Sequence, residues 1–194
     1  MFEYLKGKIV EINPAFIVLE LQNTGYFINI SLHTYSQLQE QNGETTIFIH
    51  QVLREDANIL FGFAEQEERE IFRLLISVSG VGANTARMML SSLNPEEIKQ
   101  AIVHENVNVL KSIKGIGAKS AQRVIIDLRD KIGKAGTDKE ILPVKDNTIK
   151  NEAFSALVML GFTKSASEKA IEKITAKEAN LTVEEVIKKS LKIL

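Results

Sequence analysis

The chain has 194 residues, 44% of them hydrophobic, no cysteine and a formal net charge of −1. This suffices for one large domain or two to three small ones, and it excludes disulfides and thiolate metal sites. The N-terminus lacks a basic segment followed by an apolar stretch, and the longest apolar runs have five residues, far below the roughly 20 of a membrane helix, so a soluble intracellular protein is expected.

Residues 1–63 read as β. Candidate strands over 5–12, 16–21, 26–30, 46–53 and 59–63 are short, rich in Ile, Val and Phe, and separated by turn residues such as Asn13-Pro14 and Asn23-Thr24-Gly25. A short helix is expected near 34–39. Five strands in this length fit a small closed barrel of the OB-fold type; an SH3-like barrel fits almost as well.

From Glu65 onward apolar residues recur at helical spacing, as in Ile71, Leu74, Leu75 and Val78. Asn94-Pro95-Glu96-Glu97 has the form of a helix start: Asn caps free amides, Pro fits the first turn, and Glu97 holds the capping-box position. A further helix is expected over 118–132, ending at Gly133. On it Asp127 with Lys131, and Asp130 with Lys134, stand four residues apart and are expected to pair. Residues 135–147 show no helical period and read as a linker. Residues 148–194 read as three short helices. The first has the stripe Ala153, Ala156, Leu157 and Leu160 and stops at Gly161; the last starts at Thr182 with Glu185 in capping-box position. A module this small is near the lower limit for an independent core and suits docking better than catalysis.

Charge is unevenly placed. Residues 1–63 hold three Lys or Arg and seven Asp or Glu, a balance of −4, whereas 77–134 hold nine and five, a balance of +4. The uneven placement points to one surface for an anion and another that repels it; ordinary scatter in a neutral protein is the competing reading.

The central segment contains a repeat offset by 35 residues. Ser77-Val78-Ser79-Gly80-Val81-Gly82-Ala83-Asn84-Thr85-Ala86 aligns with Ser112-Ile113-Lys114-Gly115-Ile116-Gly117-Ala118-Lys119-Ser120-Ala121. Gly-aliphatic-Gly between two helices makes a tight hairpin. The glycines permit unusual backbone angles and close approach of a ligand, while Val81 or Ile116 plugs the joint. The next helix then presents free amides and a positive dipole end, a site for phosphate. Main-chain donors of this kind fix a protein on DNA without reading sequence, so a nearly neutral chain can bind it. One such turn is weak support; two aligned copies with helical flanks are strong. Lys119 and Arg123 lie one helical turn apart and are candidate phosphate contacts, with Lys114, Asn84 and Arg87 beside them. No Gly-x-x-x-x-Gly-Lys-Ser/Thr loop is present, so no internal ATPase and no cofactor is expected.

These two helix-hairpin-helix motifs, after a small barrel and before a linker and a three-helix tail, resemble the RuvA family of Holliday-junction branch-migration subunits over essentially the whole chain. Arg54-Glu55-Asp56, Leu60-Phe61-Gly62-Phe63 and Ala156-Leu157-Val158-Met159-Leu160-Gly161-Phe162 are also family-like. The resemblance implies an α+β multidomain protein: an OB-fold barrel over 1–63, an all-α double helix-hairpin-helix domain over 64–134, a linker over 135–147 and a three-helix, UBA-like domain over 148–194. It implies a four-fold homotetramer, one or two per junction, that holds four-way DNA open and flat in homologous recombination and repair. Glu55 and Asp56, with Arg54 beside them, would form an acidic pin at the junction centre; a plain polar turn is the alternative. Leu157, Leu160 and Phe162 are candidates for docking the hexameric ATPase RuvB, with core packing as the alternative for each. The resolvase RuvC is a further implied partner. Asn84 and Ala118 stand where some relatives carry lysine, which implies weaker charge at the first hairpin.

Two rivals belong to other classes. A DNA-repair glycosylase or nuclease needs a positioned carboxylate, lysine or metal cluster near the hairpins. Asp127 and Asp130 have lysine neighbours, and His33, His50 and His104 are scattered without metal spacing. A protein-interaction adaptor built on the tail leaves the double hairpin unexplained.

Overall fold

The computed structural model describes residues 1–39, 41, 43–137, 145–176, 178 and 181–194. They form two compact units, 1–136 and 137–194.

In the first unit, β1 (Tyr4–Asn13), β2 (Phe16–Leu21), β3 (Thr24–Asn29), β4 (Glu44–Leu53) and β5 (Asn58–Phe63) close a barrel in the order β1-β2-β3-β5-β4. The β3–β5 seam is parallel and the other pairings are antiparallel. Closure, and helix α1 (Leu32–Leu38) between β3 and β4, match the expected OB-fold. The period of two along the strands points Ile17, Leu19, Ile28, Ile47 and Ile49 inward, where all are buried. A register shift in β1 between Ile9 and Glu11 bends the strand so that it pairs with β2 on one side and β4 on the other. Helix α1 starts two residues before the expected position because Ser31 caps it, accepting from the Thr34 amide at 3.0 Å.

Helices α2 (Gln66–Ile76), α3 (Ala83–Ser92), α4 (Pro95–Val103), α5 (Val107–Lys111) and α6 (Ala118–Thr137) follow. The capping box of Asn94 and Glu97 forms as expected. The border drawn near residue 63 is not a hinge. Phe61 and Phe63 of β5 turn their rings onto Phe72 of α2 at 5.2 and 5.0 Å between centroids, which carries the helical core onto the barrel wall. Polar ties reinforce the weld. Ser31 and Thr34 donate their hydroxyls to the buried Glu68 carboxylate. The buried Arg69 donates to the Glu3 carbonyl and carboxylate.

Two local expectations fail. α6 does not stop at Gly133 but runs to Thr137, and α7 (Lys145–Met159) already begins at Lys145. The linker drawn at 135–147 is therefore helical at 135–137 and 145–147, and 138–144 lie outside the described residues. A glycine inside a nucleated helix costs only about 1 kcal/mol and does not by itself end it. Asp127 pairs with Arg123 at 3.9 Å rather than with Lys131; the side chain of Lys134 lies outside the described ones.

The second unit packs α7 with α8 (Lys164–Thr175) and α9 (Val183–Ser190) around Ala153, Leu157, Ile171 and Val186. The Thr182–Glu185 capping box is present. Among the described residues no helix is long and apolar enough to cross a membrane.

Candidate nucleic-acid interface

The repeat seen in the sequence is also a repeat of hydrogen bonds. In the first copy, amides of Ser77, Val78, Val81 and Ala86 donate to the carbonyls of Arg73, Leu75, Val78 and Gly82. In the second, Ser112, Ile113, Ile116 and Ala121 donate to Asn108, Leu110, Ile113 and Gly117. Val81 and Ile116 are buried at 4% and 5% exposure, plugging their joints as the spacing implies. Gly80 and Gly115 adopt φ of +92° and +91°, a region closed to most side chains, so the turn itself requires them.

The outer face of each hairpin is open. Gly80, Gly82, Gly115 and Gly117 are exposed, and a Cβ added at any of them meets nothing within 4 Å. Gly82 has φ −84° and ψ 167°, which any residue adopts. Gly82 is the N-cap of α3, a position where glycine is favoured over alanine, and its open outer side leaves room for a ligand to approach the backbone closely. Among the described residues, the amides of Gly80, Gly82, Ala83, Asn84 and Thr85 donate to no protein acceptor, and the same is true of Gly115, Gly117, Ala118, Lys119 and Ser120. Free donors at the N-termini of α3 and α6, backed by the helix dipoles, are suited to hold anionic oxygens.

On the barrel, β4 and β5 continue into a tight turn closed by the Arg54 amide donating to the Ala57 carbonyl at 2.8 Å. Gln51 Nε2 donates to Asn58 Oδ1 at 2.9 Å across the base. Arg54, Glu55 and Asp56 are all exposed at its tip, and among the described residues no cation lies within ion-pair distance of either carboxylate. Leu53 beside them is 69% exposed.

Three family models cover this arrangement: "RuvA N terminal domain" over 1–62, "SAM-like Helix-hairpin-helix tandem" over 72–130 and "RuvA, C-terminal domain" over 148–194. The chain is 50% identical over 194 residues to a protein of Christiangramia forsetii named Holliday junction branch migration complex subunit RuvA, covering all of both chains. The chain belongs to the RuvA family. Proteins of the same name from Bacteroides fragilis and Flavobacterium psychrophilum are 48% and 47% identical, again with both chains fully covered.

Within this RuvA family frame the expected site residues separate into groups. Gly80, Val81, Gly82 and Asn84 come together at one corner, and Lys114, Gly115, Ile116, Gly117 and Lys119 at the other, with Arg123 one turn along α6. Arg87 departs from the expectation. Its guanidinium donates to the Ala15 carbonyl and Asn29 Oδ1, both at 3.0 Å, so it ties α3 to the barrel. Partial burial lowers its pKa from the ordinary arginine value. No sequence signal distinguished this tie, because its acceptors lie 58 and 72 residues away.

The tail candidates also separate. Leu157 is fully buried and belongs to the core. Phe162 packs on that core and closes the end of α7: its amide donates to the Leu157 carbonyl at 3.2 Å, while Gly161, at φ +100°, donates to Val158 at 3.0 Å. That pairing is a Schellman cap, and the apolar contact that often accompanies it is present, Phe162 packing partly buried against the core. Leu160 alone of the three is well exposed, at 61%. Met159, 88% exposed, was not singled out by the sequence. Helix α7 ends at Met159, so the apolar stripe ceases to face the core there.

Proposed function

We propose that this chain binds four-way DNA junctions, holds them open and flat, and couples them to a separate ATPase motor for branch migration. The observation that carries this reading is the pair of hairpins with matching hydrogen-bond patterns, each with a row of unengaged amides, in a RuvA family chain. Each hairpin seats a phosphate of a duplex arm on the N-terminus of α3 or α6, with Lys114, Lys119 and Arg123 adding charge at the second. Four subunits arranged as a homotetramer, one or two per junction, give eight such seats per tetramer by arithmetic, and avidity that a single weak seat lacks.

Glu55 and Asp56 act as a repulsive pin. Unpaired negative charge at an exposed turn disfavours phosphates close by, which steers strands apart at the crossover and penalises wrong DNA geometries. The second unit docks the motor, a RuvB-type ATPase, through exposed Leu160 and Met159; a RuvC-type resolvase acts on the same junction. The chain itself serves as a non-catalytic subunit in the bacterial cytoplasm.

A gel-shift comparison of four-way junction with plain duplex at several salt concentrations tests the reading. Preferential binding of the junction that weakens with salt is expected. Equal affinity for both forms would contradict it.

A further inference from the structure

The two hairpins share a backbone and differ in charge. At the offset of 35 residues, Lys111, Lys114, Lys119 and Arg123 of the second copy correspond to Ile76, Ser79, Asn84 and Met88 of the first. Every cation of the second corner thus meets an uncharged counterpart in the first. The four cations are all exposed, and among the described residues only Arg123 has an acidic partner, at 3.9 Å. The first copy has two arginines of its own, and both are engaged elsewhere. Arg73 pairs with Glu70 at 3.0 Å and Glu3 at 3.7 Å. Arg87 is held by Ala15 and Asn29 of the barrel.

We propose that the hairpins hold the sugar-phosphate chain by different physics: the first through neutral main-chain donors alone, the second through the same donors reinforced by a cluster of exposed cations. This rests on hairpin-mediated DNA binding as proposed above. Cations that neutralise phosphates release condensed counterions, so each neutralised phosphate adds about 0.9 to the slope of log affinity against log salt; neutral donors add little. The second hairpin therefore carries the salt dependence and acts as the ionic anchor. The first is a salt-insensitive clamp, which can let go of one phosphate and take the next without exchanging counterions as a duplex is drawn past.

The positions allow the two kinds of interaction to be removed separately. Ala83 and Ala118 are the first residues of α3 and α6. Proline is favoured at that position and deletes an amide donor without adding or removing charge. The extended backbone of Gly82 suits a residue preceding proline. The experiment measures binding of the full-length protein to a labelled four-way junction across a salt series. Ala83→Pro is expected to lower affinity by about the same factor at every salt concentration, leaving the slope unchanged. Lys119→Gln is expected to lower the slope by about 0.9 for each phosphate that Lys119 neutralises, and Asn84→Lys to raise it by a similar amount. Arg87→Gln is expected to lower the melting temperature and leave the slope unchanged.

A reduced slope in Ala83→Pro or Arg87→Gln, or an unchanged slope in Lys119→Gln, would overturn the division while leaving hairpin binding intact. Wild-type binding by both Ala83→Pro and Ala118→Pro, each folded by circular dichroism, would overturn hairpin binding itself. Should the proline variants fail to fold, the Lys119→Gln and Asn84→Lys slopes still decide the matter.

Discussion

Gly82 and Gly117 offer the sharpest separation of fold from function. Neither has a left-handed φ, and an added Cβ at either meets nothing within 4 Å. In Gly82→Ala or Gly117→Ala, the loss of a helix-capping glycine costs up to about 1 kcal/mol. Reduced freedom of the unfolded chain returns about 0.4–1 kcal/mol. Net stability should change by less than about 1 kcal/mol, a melting shift of no more than roughly 4 °C for a chain of this size. DNA binding should change far more. In the proposed binding mode the new methyl crowds the path of a phosphate oxygen to the adjacent amides, and a hydrogen bond to a charged group contributes about 1.5–3 kcal/mol. At 1.4 kcal/mol per tenfold, each blocked seat costs about one to two orders of magnitude in affinity. Gly115→Ala is the control of opposite kind: at φ +91° it adds about 1–3 kcal/mol of backbone strain, so stability and binding fall together. Melting by circular dichroism and fluorescence anisotropy with junction DNA read the two quantities. Wild-type affinity in a folded Gly117→Ala, or a loss no larger than its unfolded fraction explains, would refute the reasoning.

Neutralising the pin with Glu55→Gln and Asp56→Asn should leave junction binding equal or tighter and alter branch migration with the motor; weaker junction binding would count against a repulsive role. Glu68→Ala should destabilise the first unit by about 2–4 kcal/mol, measured by urea unfolding, because the buried Ser31 and Thr34 hydroxyls lose their acceptor. Burial pushes the Glu68 carboxyl above its usual range, against the opposing hydrogen bonds of Ser31 and Thr34. The folded state then holds that proton more tightly than the unfolded chain. Its contribution is fully present below the unfolded value of about 4.3 and is lost as pH rises through the folded value, a slope that Glu68→Gln should flatten. In the tail, Leu157→Ala should cost about 2–5 kcal/mol of unit stability by leaving a core cavity, whereas Leu160→Ala should keep the fold and weaken pull-down of the motor; unchanged pull-down would remove Leu160 from the docking surface.

Local signals were legible in the sequence. Capping boxes at Asn94 and Thr182, the inward alternation of the barrel strands and the glycine corners all depend on residues within a few positions of one another. The hairpins were readable twice over, since the same pattern occurs at two places and both copies needed the same turn. What the sequence concealed was long-range. The weld of Phe72 onto Phe61 and Phe63, the buried Glu68 between two hydroxyls and the diversion of Arg87 to Ala15 and Asn29 all join residues that are far apart in the chain or on different elements. Arg87 illustrates the limit: beside a phosphate-binding corner, any cation reads as a ligand until its partners are visible. Leu157 and Leu160 show a second limit. A single apolar stripe cannot tell where a helix stops facing its core, and the cap at Gly161 ends α7 just after Leu157 has been buried.

Hydrogen exchange at the hairpin amides bears most directly on the central claim. Residues 80 and 82–85, and 115 and 117–120, should exchange fast in the free protein, since their donors lack acceptors among the described residues. With four-way junction DNA bound, both segments should slow markedly while exposed amides elsewhere on the surface stay fast. Unaltered exchange at both segments in a saturated complex would mean that the DNA is held somewhere else.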